Sequence, residues 1–210
     1  MGLDKKSGST KKFLSLKAKT SDTDPTPFIG VNEKTGDTWG ITQKYNSISG
    51  KLKSIAHDSY EYQGEQKTKI IMVIEDDVEY QLEANFNSLI YSILNSLAGT
   101  KDIGKIEISV WLDPKLVDGK KYAKAALKNN GEKTEWAYKW DEIPKAAKVQ
   151  VGKKTVMDDS AVIDFWKAEI DKISDRLPKG VQSNEEATSE DLANDLAASS
   201  ELNKTDQLPF

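Results

Sequence analysis

The chain has 210 residues, 37% hydrophobic and 30% charged, with no Cys, one His and a formal net charge of −4, which suits one domain of ordinary size plus a polar extension. The absence of Cys excludes disulfides and thiolate metal sites, and a lone histidine, His57, leaves almost nothing for zinc binding or imidazole catalysis. Lys and Arg stand against Asp and Glu at 29 to 27 in residues 1–179 but at 1 to 7 in residues 180–210, so a nearly neutral body able to bear a local basic groove precedes an acidic segment.

Residues 1–11 form a Lys-rich polar lead-in, expected to be flexible. It has no apolar block long enough for a signal peptide, and no stretch of the chain approaches the ~20 apolar residues of a membrane span. A cytoplasmic protein without membrane partners is therefore expected. From Phe13 the pattern alternates, with Leu14, Leu16 and Ala18 opposite Ser15, Lys17 and Lys19, as in a half-buried strand. Residues 20–27 and 33–40 read as turn clusters. Residues 40–57 read as one long strand, with Gly50 marking a bulge or sharp bend. Residues 67–76 and 78–86 continue it into a three-stranded meander.

Leu89, Ile90, Ile93, Leu94 and Leu97 fall at helical spacing, with Gly99 as the stop. In residues 105–112, Ile106, Ile108, Val110 and Leu112 share one side, so Trp111 points to the other. Two alternating runs flank Asn129, Asn130 and Gly131 and predict a hairpin. A second helix opens near Asp158, Asp159 and Ser160, carries Val162, Phe165, Trp166, Ile170, Ile173 and Leu177 as a stripe, and stops at Pro178 and Gly180. Beyond it, residues 181–207 lack aromatics and are too polar to offset the entropy of ordering. The expected organisation is a flexible segment 1–11, a folded domain 12–178 and a disordered acidic tail 179–210. The expected fold is mainly β with helices: a five-stranded, closed or partly closed barrel plus a C-terminal helix, an outline that the oligonucleotide-binding fold shares with other small β-barrels.

Two catalytic readings fail on chemistry. The stretch GTKDIGKI, Gly99 to Ile106, matches a phosphate loop up to its final Ser or Thr, where Ile106 cannot ligate magnesium, and it precedes a strand rather than opening a helix. The carboxylates at Asp22 and Asp24, at Glu75, Asp76, Asp77 and Glu79, and at Asp158 and Asp159 sit where turns and helix starts favour Asp locally, with no spacing that converges them on a metal. The Asn203 triplet is a chance match to a glycosylation signal. No enzyme, cofactor or metal is expected.

Rings interleaved with lysines are the strongest functional signal in the folded region. KKYAKAALK places Lys120, Tyr122, Lys124 and Lys128 on one side of a strand, and EWAYKW places Trp136, Tyr138 and Trp140 together on the next. Flat rings stack on unpaired bases while lysines neutralise phosphates. Trp39 and Tyr45, flanked by Lys44, Lys51 and Lys53, offer a second platform, and Trp111 a further ring. The expected DNA-binding set is Trp39, Tyr45, Lys51, Lys53, Trp111, Tyr122, Lys124, Trp136 and Tyr138. Against it stands the need of a β core for large side chains, so several of these rings belong inside. A structural or carbohydrate-binding β-module is the alternative, since sugars also stack on rings.

The ending TDQLPF, after an acidic polar run, resembles the C-terminal tip of the single-stranded DNA-binding proteins of bacteria and their phages. The body lacks the opening segment typical of the bacterial housekeeping proteins and looks closer to a divergent phage type. The resemblance implies a protein of DNA replication, recombination or repair that binds single-stranded DNA on an oligonucleotide-binding barrel. It also implies that Asp206, Leu208, Pro209 and Phe210 dock replication or recombination proteins, with Phe210 as the pocket anchor. Lys204, Thr205 and Gln207 depart from the family pattern, which has further acids there, and weaken that docking. Whether the chain forms a homo-oligomer stays open.

Overall fold

The computed structural model describes residues 11–21, 23–35, 38–117, 119–152 and 154–178. Among the described residues the chain is mainly β, with two helices. In order come β1 (Lys12–Lys17), β2 (Phe28–Thr35), β3 (Thr38–Tyr45), β4 (Ser47–Tyr62), β5 (Glu65–Glu75), β6 (Glu79–Asn85), α1 (Ser88–Gly99), β7 (Lys105–Leu112), β8 (Ala123–Asn129), β9 (Glu132–Lys133), β10 (Ala147–Val151), β11 (Lys154–Asp158) and α2 (Ser160–Arg176). Nine strands form one sheet in the order β3-β2-β1-β6-β5-β4-β7-β8-β9, and β10 and β11 form a separate hairpin. All neighbours in the large sheet run antiparallel except β1 and β6, which pair parallel from Lys12↔Tyr80 to Ser15↔Glu83.

A nine-stranded sheet thus replaces the expected five-stranded barrel, and the reason is an occupied edge. β6 pairs with β5 on one side and β1 on the other, so β8 has no strand edge left on β6 with which to close a ring. β9 covers only Lys128 and Asn129 of β8. Among the described residues no strand pairs with the outer edge of β8 from Ala123 to Leu127.

The apolar rows read from the sequence fill one continuous core. Leu14 and Leu16 of β1, Ile70, Met72 and Ile74 of β5, Leu82 of β6, and Ile106, Ile108 and Val110 of β7 are buried together. The apolar faces of α1 and α2 join them, including Ile93, Leu97, Trp166 and Ile170. α1 begins as its cap chemistry suggests, with the Asn87 side chain accepting from the N–H groups of Leu89 and Ile90 at 3.0 and 3.2 Å. At α2 the N-cap Asp159 makes no side-chain cap hydrogen bond, and Asp158 before it accepts from the N–H of Ser160 at 3.0 Å. At the far end of α1, the Arg176 guanidinium donates to the carbonyls of Leu97, Ala98 and Thr100, the first of which also accepts the Thr100 N–H at 3.1 Å.

Four local readings are corrected. The long strand 40–57 is two, β3 and β4, broken at Asn46, and residues 28–35 are a strand that the turn residues around them concealed. The bulge of β4 lies at Lys53, between the Leu52 and Ser54 pairings with β5, and not at Gly50. Gly50 serves a close approach instead: a Cβ there would lie 2.6 Å from the Glu75 carbonyl oxygen. After β9 the chain leaves the sheet, so Trp136, Tyr138 and Trp140 stand in an irregular segment rather than on a strand face.

Candidate functional site

A groove of about 860 Å³ opens along β8, between α1, the end of β7 and the segment 133–140. Four rings line it: Trp111, Tyr122, Trp136 and Trp140. Each leaves between 41% and 49% of its surface exposed. Trp111 faces out because Ile106, Ile108 and Val110 take the inward side of β7. Antiparallel pairing then sets Lys124 directly opposite Trp111, so a ring and an ammonium share one face across two strands. Trp136 and Trp140 meet edge to face, centroids 5.2 Å apart at 78°, the offset that aromatic quadrupoles favour. Small side chains make up the rest of the lining: Ser88, Ser92 and Ser96, four residues apart on α1, and Ala123, Ala125 and Ala126 of β8.

The segment carrying Trp136 and Trp140 has no regular structure, so side chains must hold it. Asn95, fully buried in α1, donates from its amide to the Tyr138 carbonyl at 2.8 Å and accepts the Tyr138 N–H at 2.9 Å. Its own carbonyl accepts the Ala137 N–H at 3.1 Å. One turn later, a Cβ at Gly99 would lie 2.5 Å from the Glu135 carbonyl oxygen and 3.1 Å from the Ala137 nitrogen. Tyr138 is the third clamp. Its ring packs edge-on against Phe165 at 5.2 Å, and burial, with its hydrogen bond to Glu169, pushes its phenol above the usual range. Tyr138 is therefore an anchor on the core and not a groove ring, because a segment without strand period has no reason to keep residues 136, 138 and 140 on one side.

Charge in the groove is mixed. Lys124 and Lys133 line it beside Glu135. Lys124 pairs with Asp113. The hydrogen bond from that ammonium, joined by the N–H of Lys115 at 3.0 Å, holds the Asp113 carboxyl below its ordinary value. Lys128, farther along β8, pairs with Glu107 at 3.2 Å.

The other expected residues do not join this groove. Trp39, 61% exposed, sits on the β3 edge of the sheet and meets Phe13 edge-on at 5.7 Å. Tyr45 lines a separate cavity of about 260 Å³ with Leu14, Ile29 and Val31, and its hydroxyl donates to Gln43. Spacing of six residues should put both rings on one face of a strand. A register shift prevents it: Val31 pairs with Gln43 but Asn32 with Ile41, leaving Thr42 unopposed. That extra residue inverts the alternation, so Tyr45 shares a face with Ile29 and Val31 while Trp39 shares one with Phe13. Lys51 is exposed on β4, and Lys53, at the β4 bulge, pairs with Glu75 at 3.0 Å. The proposed second platform of Trp39, Tyr45, Lys51 and Lys53 is not assembled. Asp206, Leu208, Pro209 and Phe210, with the rest of residues 179–210, lie outside the described residues.

Among the described residues, no group of three or more His, Asp or Glu side chains converges to hold a metal ion, and no helix is long and apolar enough to cross a membrane. Comparison with known proteins gives no match from any family model, curated protein or solved structure.

Proposed function

We propose that the protein binds single-stranded DNA in the groove along β8, stacking bases on Trp111, Tyr122, Trp136 and Trp140 and meeting phosphates with Lys124 and Lys133. The supporting observation is the convergence of four half-exposed rings from three separate stretches of chain on one cavity of about 860 Å³. Indoles held open to water by a clamped segment suit a ligand with flat faces, and each stacked base contributes about 1–3 kcal/mol. Connectivity adds to this. The run β4, β5, β6, helix, β7, β8, with β7 returning beside β4, has the outline of an oligonucleotide-binding barrel opened where β1 occupies β6. In that fold the connection between the fourth and fifth strands contributes to the ligand site; here residues 113–122 are that connection and end in Tyr122. A place in DNA replication, recombination or repair, with partner proteins docked by Asp206 and Leu208–Phe210, belongs to the same proposal.

Titration with oligo-dT tests it. Tryptophan fluorescence should be quenched, and affinity should fall with salt as phosphate contacts release counterions. Trp136→Ala and Trp140→Ala should each weaken binding by about 1–3 kcal/mol, and Trp39→Ala should leave it nearly unchanged. Absence of both quenching and salt dependence would refute DNA binding. The pairing of Lys124 with Asp113, and Glu135 in the lining, favour a neutral ligand as the second reading. Carbohydrate stacking would then quench the same tryptophans with no dependence on salt.

A further inference from the structure

We propose that the uncovered edge of β8 reads the Watson–Crick edge of an unpaired base, which makes the groove select nucleotides that have no partner strand. This deepens the single-stranded DNA function and rests on it. Hydrogen bonds at the two ends of β8 fix the direction of its backbone groups. The Tyr122 carbonyl accepts the Asp113 N–H at 2.9 Å, so residue 122 faces β7. The Leu127 carbonyl accepts the Thr134 N–H at 3.3 Å and the Thr134 hydroxyl at 2.9 Å, so residue 127 faces the opposite way. Within a strand, successive residues turn their N–H and C=O to alternate sides. Lys124 and Ala126 therefore supply the ladder to β7, while Ala123 and Ala125 each turn one donor and one acceptor outward along the groove.

Such a residue offers a donor and an acceptor side by side. Every nucleobase carries the complementary pair on its Watson–Crick edge, as in N3–H and O4 of thymine or N1 and the amino group of adenine. In a duplex those atoms are already bonded to the other strand, so only an unpaired base can use them. The surroundings suit an inserted base and not a bulky one: Ala123 and Ala125 leave the backbone accessible, and the Ser92 and Ser96 side chains on α1 line the same space. Trp136, Trp140, Trp111 and Tyr122 supply planes at its sides. Part-buried backbone groups without a partner are costly, and a base would satisfy them while its faces stack.

The experiment compares oligo-dT with an oligomer of the same length built on difluorotoluene, which stacks like thymine and has the same phosphates but forms no comparable hydrogen bonds. The intact protein should bind the isostere about five- to a hundredfold more weakly for each base read, with an unchanged salt slope. Ala125→Pro removes one outward N–H and no ladder bond, a change that edge strands tolerate, and it should narrow the gap between the two oligomers. Equal affinity of the intact protein for both would overturn the edge-reading inference while leaving DNA binding in place. Failure to bind either would overturn both.

Discussion

Lys124 lies at the point where the groove's electrostatics are decided. It faces Trp111 across the β7–β8 pair and donates to Asp113. While that pair holds, a phosphate must compete with a carboxylate for the ammonium. Because the Asp113 carboxyl is held below its ordinary value of 3.8, chiefly by the Lys124 hydrogen bond, the competitor stays ionised throughout the neutral range. Asp113→Asn should therefore tighten oligo-dT binding and steepen the dependence of log K on log salt by about 0.7, the increment for one more phosphate contact on a single strand. The sign with pH follows from the depressed value: the carboxylate is fully charged above 3.8 and lost only as pH falls through its lowered pKa. The difference between wild type and Asp113→Asn should be constant above that pH and shrink below it. At this scale the sequence was legible where period was strict. Trp111 is exposed because four apolar residues alternate with it, whereas Trp39 and Tyr45 were misjoined because one unopposed residue, Thr42, reverses the faces of β3.

Among elements, α1 does most to shape the groove. Its apolar residues, read directly from helical spacing, face the core, but the groove is shaped by its other residues: Asn95 and Gly99 meet the Trp136–Trp140 segment, and Ser88, Ser92 and Ser96 line the cavity. Neither Asn95 nor Gly99 was identified from sequence as a site residue. Asn95 lies outside the apolar spacing, and its partner Tyr138 is 43 residues away, while Gly99 reads as a helix stop. Gly99 is the last residue of α1 and is not among the glycines with positive φ, so with free space beside it Gly99→Ala would stabilise by about 0.5–1 kcal/mol through lower backbone entropy in the unfolded chain. A Cβ 2.5 Å from the Glu135 carbonyl oxygen must instead push the segment away. We expect Gly99→Ala to lower the urea midpoint and to cost oligo-dT affinity, seen by denaturation and by tryptophan quenching of the same sample. A stabilised variant with full affinity would show that the contact does not matter.

For the whole molecule, two long-range facts set the behaviour, and they differ in how far sequence reveals them. The β1–β6 pairing joins residues about 70 positions apart, and no local pattern announces it; yet it occupies the β6 edge, and among the described residues no strand pairs with β8 from Ala123 to Leu127. Charge segregation, in contrast, is legible by counting, with 29 basic against 27 acidic residues up to 179 and 1 against 7 thereafter. If the protein binds DNA as proposed, a tethered polyanion would compete for lysines at an effective concentration of up to the millimolar range, and the range of that competition would fall from about 30 Å at 0.01 M salt to about 3 Å at 1 M. Removing residues 180–210 should therefore raise oligo-dT affinity several-fold at about 0.05 M salt, with the gain shrinking as salt rises and the curves of the two proteins converging. Parallel curves at all salt concentrations would mean that the segment does not act through charge. A loss of affinity on truncation would mean that residues 180–210 contribute to DNA binding directly, and the site could not then be confined to the groove along β8.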